Sequence, residues 1–153
     1  MQIHIQVDGL KKIQQKLKVT AEKLQNLKPY WQSVGMYVQG QTIKERFNKE
    51  QSPDGSKWKP LSPSRVKQRR KRHKSGNMKI LILQDTGELR RSIAYEANEH
   101  SVRIGSKLKY AHTHQFGRGK IPARPFLGVT DKEKKHIIDM FRQYLKRHVL
   151  GGA

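Results

Sequence analysis

The chain has no cysteine. That excludes a disulfide framework and any thiolate zinc centre, and sets the expectation of an intracellular or otherwise disulfide-independent protein. Acidic residues are scarce as well, 12 against 33 Lys plus Arg, for a formal net charge of +21. Such an imbalance predicts attraction to something anionic, whether nucleic acid, an acidic protein surface or an anionic membrane, without choosing among them. No apolar run approaches the roughly 20 residues that span a bilayer. The opening MQIHIQVDGL lacks the basic head, apolar run and cleavage site of a secretory signal, so neither export nor a membrane partner is expected. Catalytic signatures are missing too. There is no GxSxG elbow. GRGK at 117 to 120 lacks the glycine spacing of a phosphate loop and is followed by Ile121 instead of Ser or Thr. Asp85 and Glu88, the nearest thing to paired carboxylates, have capping-box spacing. No catalytic residue and no cofactor are expected.

What remains is a chain of 153 residues, of natural size for one domain that buries roughly 70% of its unfolded surface. Ile3, Ile5 and Val7 alternate as on a short strand. Leu10, Ile13, Leu17, Ala21, Leu24 and Leu27 then form the stripe of a helix capped by Asp8, ended by Pro29 and expected to face the core. A second helix is expected over Tyr30 to Lys49, with Trp31, Val34, Val38 and Phe47 inward and Gly35 and Gly40 marking close packing. Prolines at 53, 60 and 63 make 52 to 64 an ordered loop anchored by Trp58, with a short helix begun by Ser62 and Pro63. A short helix carrying Leu89 and Ile93 should follow, then a hairpin of 94 to 97 and 101 to 105, an extended IPARPFLG segment, and a final helix. That helix opens with a Thr130/Glu133 capping box, turns Ile137, Ile138, Phe141, Leu145 and Val149 inward, and stops at Gly151. The order predicts an α+β fold: one small domain over 1–153 with long N-terminal helices, a short antiparallel sheet and a C-terminal amphipathic helix.

Two features invite a functional reading. In YAHTHQFG, residues 110 to 117, His112 and His114 would share a face on a strand but stand about 200° apart on a helix. A metal clamp therefore depends on the backbone, and it also needs a third ligand, while no Asp or Glu occurs between Glu99 and Asp131. The other feature is a basic stretch. Between Asp54 and Asp85 there is no acid, while Lys57, Lys59, Arg65, Lys67, Arg69, Arg70, Lys71, Arg72, Lys74 and Lys79 are all cationic. A run of one sign repels itself and normally has a partner. Arg65, Lys67, Arg69, Arg70, Lys71, Arg72 and Lys74 are the candidate contacts to that anion, with 65–79 expected to be mobile in the free subunit and to order against it. No base-reading motif is present, so any contact with DNA should be non-specific and made to phosphates.

Several sparse motifs occur in one order: Phe47, PDG at 53 to 55, Trp58, PLS at 60 to 62, LQDTGELRRSI at 83 to 93, IGS at 104 to 106, YAHTHQFG, and ARPFLG at 123 to 128. The series resembles the phage virion morphogenesis family, the tail-completion proteins of Mu-type and related contractile-tailed phages and prophages. The resemblance implies a structural protein of the head-tail junction or tail end, present in the virion and in the host bacterial cytoplasm during assembly, without enzymatic activity or cofactor. It implies a homo-oligomeric ring and partners among phage head-completion, tail tube or tail terminator proteins. Matched residue by residue, the family positions are Pro53, Asp54, Gly55 and Trp58; Thr86, Gly87 and Leu89; Tyr110, Ala111, His114, Gln115, Phe116 and Gly117; and Ala123, Arg124, Pro125 and Phe126. His112 lies outside the pattern. Gly55, Gly87 and Gly117 suit turns, Pro122 and Pro125 stiffen the extended segment, and Trp58, Phe116 and Phe126 are expected as apolar anchors. Arg124 is expected to bind a carboxylate or carbonyls of its own subunit, with a neighbouring subunit as the other possibility.

Overall fold

The computed structural model describes residues 10–74 and 79–150, so the expected strand at 2–7, the Asp8 cap and the Gly151 stop lie outside the described residues. The architecture is α+β, with helices packed around one two-stranded antiparallel sheet. Helix α1 covers Leu10–Gln25. Of its expected inward positions, Leu17 is 64% exposed and Ala21 and Leu24 are exposed with it, while Leu27, just beyond the helix, packs against the core. Periodicity makes a face apolar, but only a neighbouring element can cover it.

Pro29 does more than end α1. It sits in the first turn of α2, Lys28–Tyr37, where a missing N–H costs nothing. The chain continues through a π-helical segment, Val38–Ile43, into α3, Lys44–Lys49. Val34, Val38, Ile43 and Phe47 are buried along this run. Gly35 is needed for close approach: a Cβ there would lie 2.3 Å from Cδ2 of Tyr95 on the sheet. Gly40 has open space instead, so the expected packing role fails at that position.

Strands β1 (Ile93–Ala97) and β2 (Val102–Ser106) pair in the register Ile93 with Ser106 through Ala97 with Val102. Asn98 closes the hairpin, its Oδ1 accepting from the amides of His100 and Ser101. Ile93 therefore opens a strand and is not part of the preceding helix, which shrinks to one turn. Gln39 of the π-helical segment donates to the Ile93 carbonyl at 2.6 Å, tying the helical run to the sheet.

The C-terminal helix, numbered below, forms as expected over Asp131–Tyr144 and continues as a π-helical segment over Leu145–Leu150. Its capping box is complete, with Thr130 Oγ1 accepting from Glu133 N and Glu133 accepting from Thr130 N. Ile137 and Phe141 pack against the core beside Tyr30, whose hydroxyl donates to the Ile137 carbonyl at 3.0 Å. Ile138 is 51% exposed, because one residue of helix rotation, about 100°, carries it past the buried face. The deepest layer joins Phe47, Trp58 and Phe126, with Phe47 and Phe126 fully buried and the Phe47 and Trp58 rings edge to face at 5.3 Å. This layer draws a loop, a helix and an extended strap into one place.

Candidate functional site

Among the described residues the strap, 122–130, has no regular partner strand, so its backbone groups must be satisfied otherwise. Arg124 N donates to the His114 carbonyl and Thr130 N to Glu133, and three further side chains serve the stretch between. Arg46 of α3 donates from Nη1 to the carbonyls of Phe126 and Gly128, and from Nη2 to both carboxylate oxygens of Glu133 at 2.9 and 2.8 Å. Gln115 accepts at Oε1 from the amides of Phe126 and Leu127 and donates from Nε2 to the Leu127 carbonyl. Trp58 Nε1 donates to the Pro125 carbonyl at 2.9 Å. The strap in turn holds the loop: Arg124 donates from Nε to the Lys59 carbonyl at 2.7 Å and from Nη2 to that of Pro60 at 2.9 Å. Arg124 is thus bound to carbonyls of its own chain. Pro53 lies where a Cβ on Gly128 would come within 2.7 Å of its Cγ.

The turns that hold these groups use the glycines at positive φ: +85° at Gly55, +75° at Gly87 and +77° at Gly117. At Gly117 a Cβ would also meet the Ala123 backbone nitrogen at 2.9 Å. Asp54 accepts from the amide and hydroxyl of Ser56, which holds its carboxyl below the usual carboxylate range. Thr86 Oγ1 accepts from Glu88 N at the start of α5, Glu88–Arg91, which buries Leu89.

YAHTHQFG folds as helix α6, Lys109–Phe116, with Ala111 buried. On a helix His112 and His114 diverge by about 200°, which removes the shared face a metal clamp required. Among the described residues no group of three His, Asp or Glu side chains is arranged for a metal. Phe116 is no anchor. It is 67% exposed, and its ring lies against His112 with centroids 4.8 Å apart. Tyr110 is partly exposed and donates to Glu88 at 3.0 Å.

Helix α4 spans Pro63–His73, capped by the Ser62 hydroxyl. Its charges divide. Arg69 is buried, donating from Nη1 to the Leu81 carbonyl and pairing through Nε with Asp85 at 2.8 Å. Arg72 and His73 engage the same carboxylate. Arg69 is therefore committed inside the subunit and withdrawn from the set of contacts to an outside anion. Asp85 is an ion-pair hub and does not cap α5, because two arginines and a histidine of α4 already occupy it. Of the stretch 65–79, residues 65–73 lie in this helix and 75–78 lie outside the described residues. Arg65, Lys67, Arg70, Lys71 and Lys74 are exposed.

Between α4, α5, α6 and the strap opens a cleft of about 430 Å³. Arg65, His114 and Arg124 line it together with apolar Leu61, Leu83 and Leu89. Nδ1 of His114 is buried without a hydrogen-bond partner. Burial first, and then the charges of Arg124 and Arg65, lower this imidazole's pKa below its ordinary value. The sequence pointed to Arg124 and His114, read Asp85 only as a helix cap, and did not point to Arg46 or to Gln84, whose Nε2 donates to the Phe47 carbonyl. Arg46 carries no spacing signal of its own beyond standing next to Phe47.

The phage virion morphogenesis family model matches residues 8–146. The chain is 32% identical to Mu-like prophage FluMu G protein 1 of Haemophilus influenzae over 117 residues, 76% of this chain and 77% of that protein. It is 38% identical to Mu-like prophage FluMu G protein 2 of the same organism over 71 residues, covering 42% of this chain and 51% of that one. No solved structure matches. With most of its length matched by the family and by a full-size relative, the chain belongs to the phage virion morphogenesis family.

Proposed function

We propose that this protein completes tails and joins them to heads, working by protein-protein binding at the head-tail junction or tail end. The observation that supports the reading most is the division of charge on α4. One side is locked to Asp85 and Leu81, so the helix holds its shape, while Lys67, Arg70, Lys71 and Lys74 stand in solvent with no acid beside them in sequence. A fixed cationic ridge on a folded scaffold suits an acidic neighbouring protein. Head-completion, tail tube and tail terminator proteins are the partners expected, with copies of the subunit arranged in a ring in the virion. Catalysis plays no part in this reading.

The test replaces Lys67, Arg70, Lys71 and Lys74 with glutamine in a phage or prophage that depends on this gene. The subunit should stay folded by circular dichroism, while electron micrographs show separate heads and tails. Normal joining by that variant rejects the reading. The net charge of +21 keeps non-specific DNA binding as the alternative. Titration with duplex DNA over a salt series separates the two: tight binding at physiological salt with a steep slope favours DNA, and weak binding lost at modest salt favours assembly.

A further inference from the structure

Arg124 presents an unbalanced charge. Its guanidinium is buried, yet its bonds go to two neutral carbonyls; among the described residues no carboxylate pairs with it and its Nη1 donates to nothing. A buried cation without a counter-ion is costly, and a fold that keeps one beside a cleft has a place for an anion. Arg65 stands on the same cleft with its Nη1 bonded only to neutral Gln68. Of the two carboxylates on the wall, Asp85 is paired with Arg69, Arg72 and His73, while Glu88 accepts from the Tyr110 hydroxyl and keeps its charge, so among the described residues the cations that the cleft leaves without a paired carboxylate are Arg124 and Arg65. Leu61, Leu83 and Leu89 also line the cleft. Leu83 holds φ +57°, a conformation that costs a non-glycine residue about 1 kcal/mol or more and collects at binding sites.

We infer that the cleft between α4, α5, α6 and the strap is a docking site for a segment of a partner protein that carries one carboxylate side chain flanked by apolar residues. The carboxylate bridges Arg124 and Arg65, and its apolar neighbours lie on the leucines. The volume, about 430 Å³, suits a few side chains and excludes a folded element. The segment is assigned to a different, acidic protein on charge complementarity, since 33 cationic against 12 acidic residues make such a surface a better electrostatic match to the cleft than another copy of this chain. Burial first, and then the same two arginines, lower the His114 pKa, which is consistent with cationic groups facing the cleft. The inference rests on reading the chain as a binding protein and adds the chemistry of what it binds.

The test uses the whole protein and a capped leucyl-glutamyl-leucine tripeptide, with its glutamine counterpart as the neutral control. NMR spectra should show the glutamate peptide shifting the His114 ring and the amides of 86–89, 123 and 124, and the glutamine peptide shifting them little. Arg65→Gln, at an exposed position, should weaken binding by about 5-fold or more. Arg103→Gln, an equal charge change on the distant hairpin, should leave it unchanged. Absence of shifts at millimolar peptide, equal binding of both peptides, or equal loss in both variants overturns the inference. Failure of the assembly reading looks different. Peptide binding by the native protein, together with normal head-tail joining by the α4 variant, keeps the cleft and removes only the proposed role of the ridge.

Discussion

Gln115 shows how much of this site depends on single side chains. Its amide forms three bonds with the strap backbone, two accepted and one donated. Gln115→Leu keeps much of the volume but strands two amides, and should destabilise the subunit by about 2 to 3 kcal/mol in urea unfolding with an unchanged slope. His114 supplies a pH signature. Its folded pKa lies below the ordinary 6.5, so the unfolded chain binds the proton first. Its contribution to stability is therefore present above about 6.5 and is lost as pH falls through that value toward the depressed folded one. His114→Gln should flatten the stability profile between pH 7 and 5 relative to the native chain, and an unchanged profile would contradict the assignment. At this scale the sequence is legible where backbone conformation selects the residue, as at Gly55, Gly87 and Gly117. It misleads where chemistry has two uses. Phe116 is large and apolar yet exposed, and Arg46 is charged yet buried, because a guanidinium can replace a missing strand partner.

The elements follow from periodicity and caps wherever those signals are local. Ser62 with Pro63 starts α4, and Thr130 with Glu133 starts the C-terminal helix, here α7, as their spacing predicts. Contacts distant in sequence were not legible. Asp85 has the spacing of a cap, but α4 reaches it first with Arg69, Arg72 and His73. Asp85→Asn should therefore cost about 3 kcal/mol, since it leaves the Arg69 charge buried without its partner. Hydrogen exchange should place the lost protection in α4, with α7 amides little changed. The joint between α2 and β1 is equally specific. Gly35→Ala would drive a Cβ into the Tyr95 ring, and a denaturation midpoint close to that of the native protein would show that the ring moves aside freely. The exposed line of α1 marks the opposite limit: its spacing revealed an apolar face, and no local signal revealed what lies over it.

For the whole molecule, the α+β class was readable from the order of patterns, and the net charge of +21 from counting. The charge carries a prediction at its own scale. Association with an acidic partner should slow by roughly tenfold or more as ionic strength rises from about 0.01 to 0.5 M, because the Debye length shrinks from about 30 Å to a few ångströms. Dissociation, set by short-range contacts, should change less, and stopped-flow mixing separates the two rates. How the cleft assembles could not be read from the chain, since its walls come from segments between 61 and 124 joined only by folding. One feature bears on the joining role proposed above. Arg46 grips the strap at Phe126 and Gly128 and the first turn of α7 at Glu133. A pull on the first turn of α7 is thus shared between this guanidinium, which leads to α3 in the core, and the Tyr30, Ile137 and Phe141 contacts further along the helix. The subunit has a load path in which two carboxylate bonds to one guanidinium yield together.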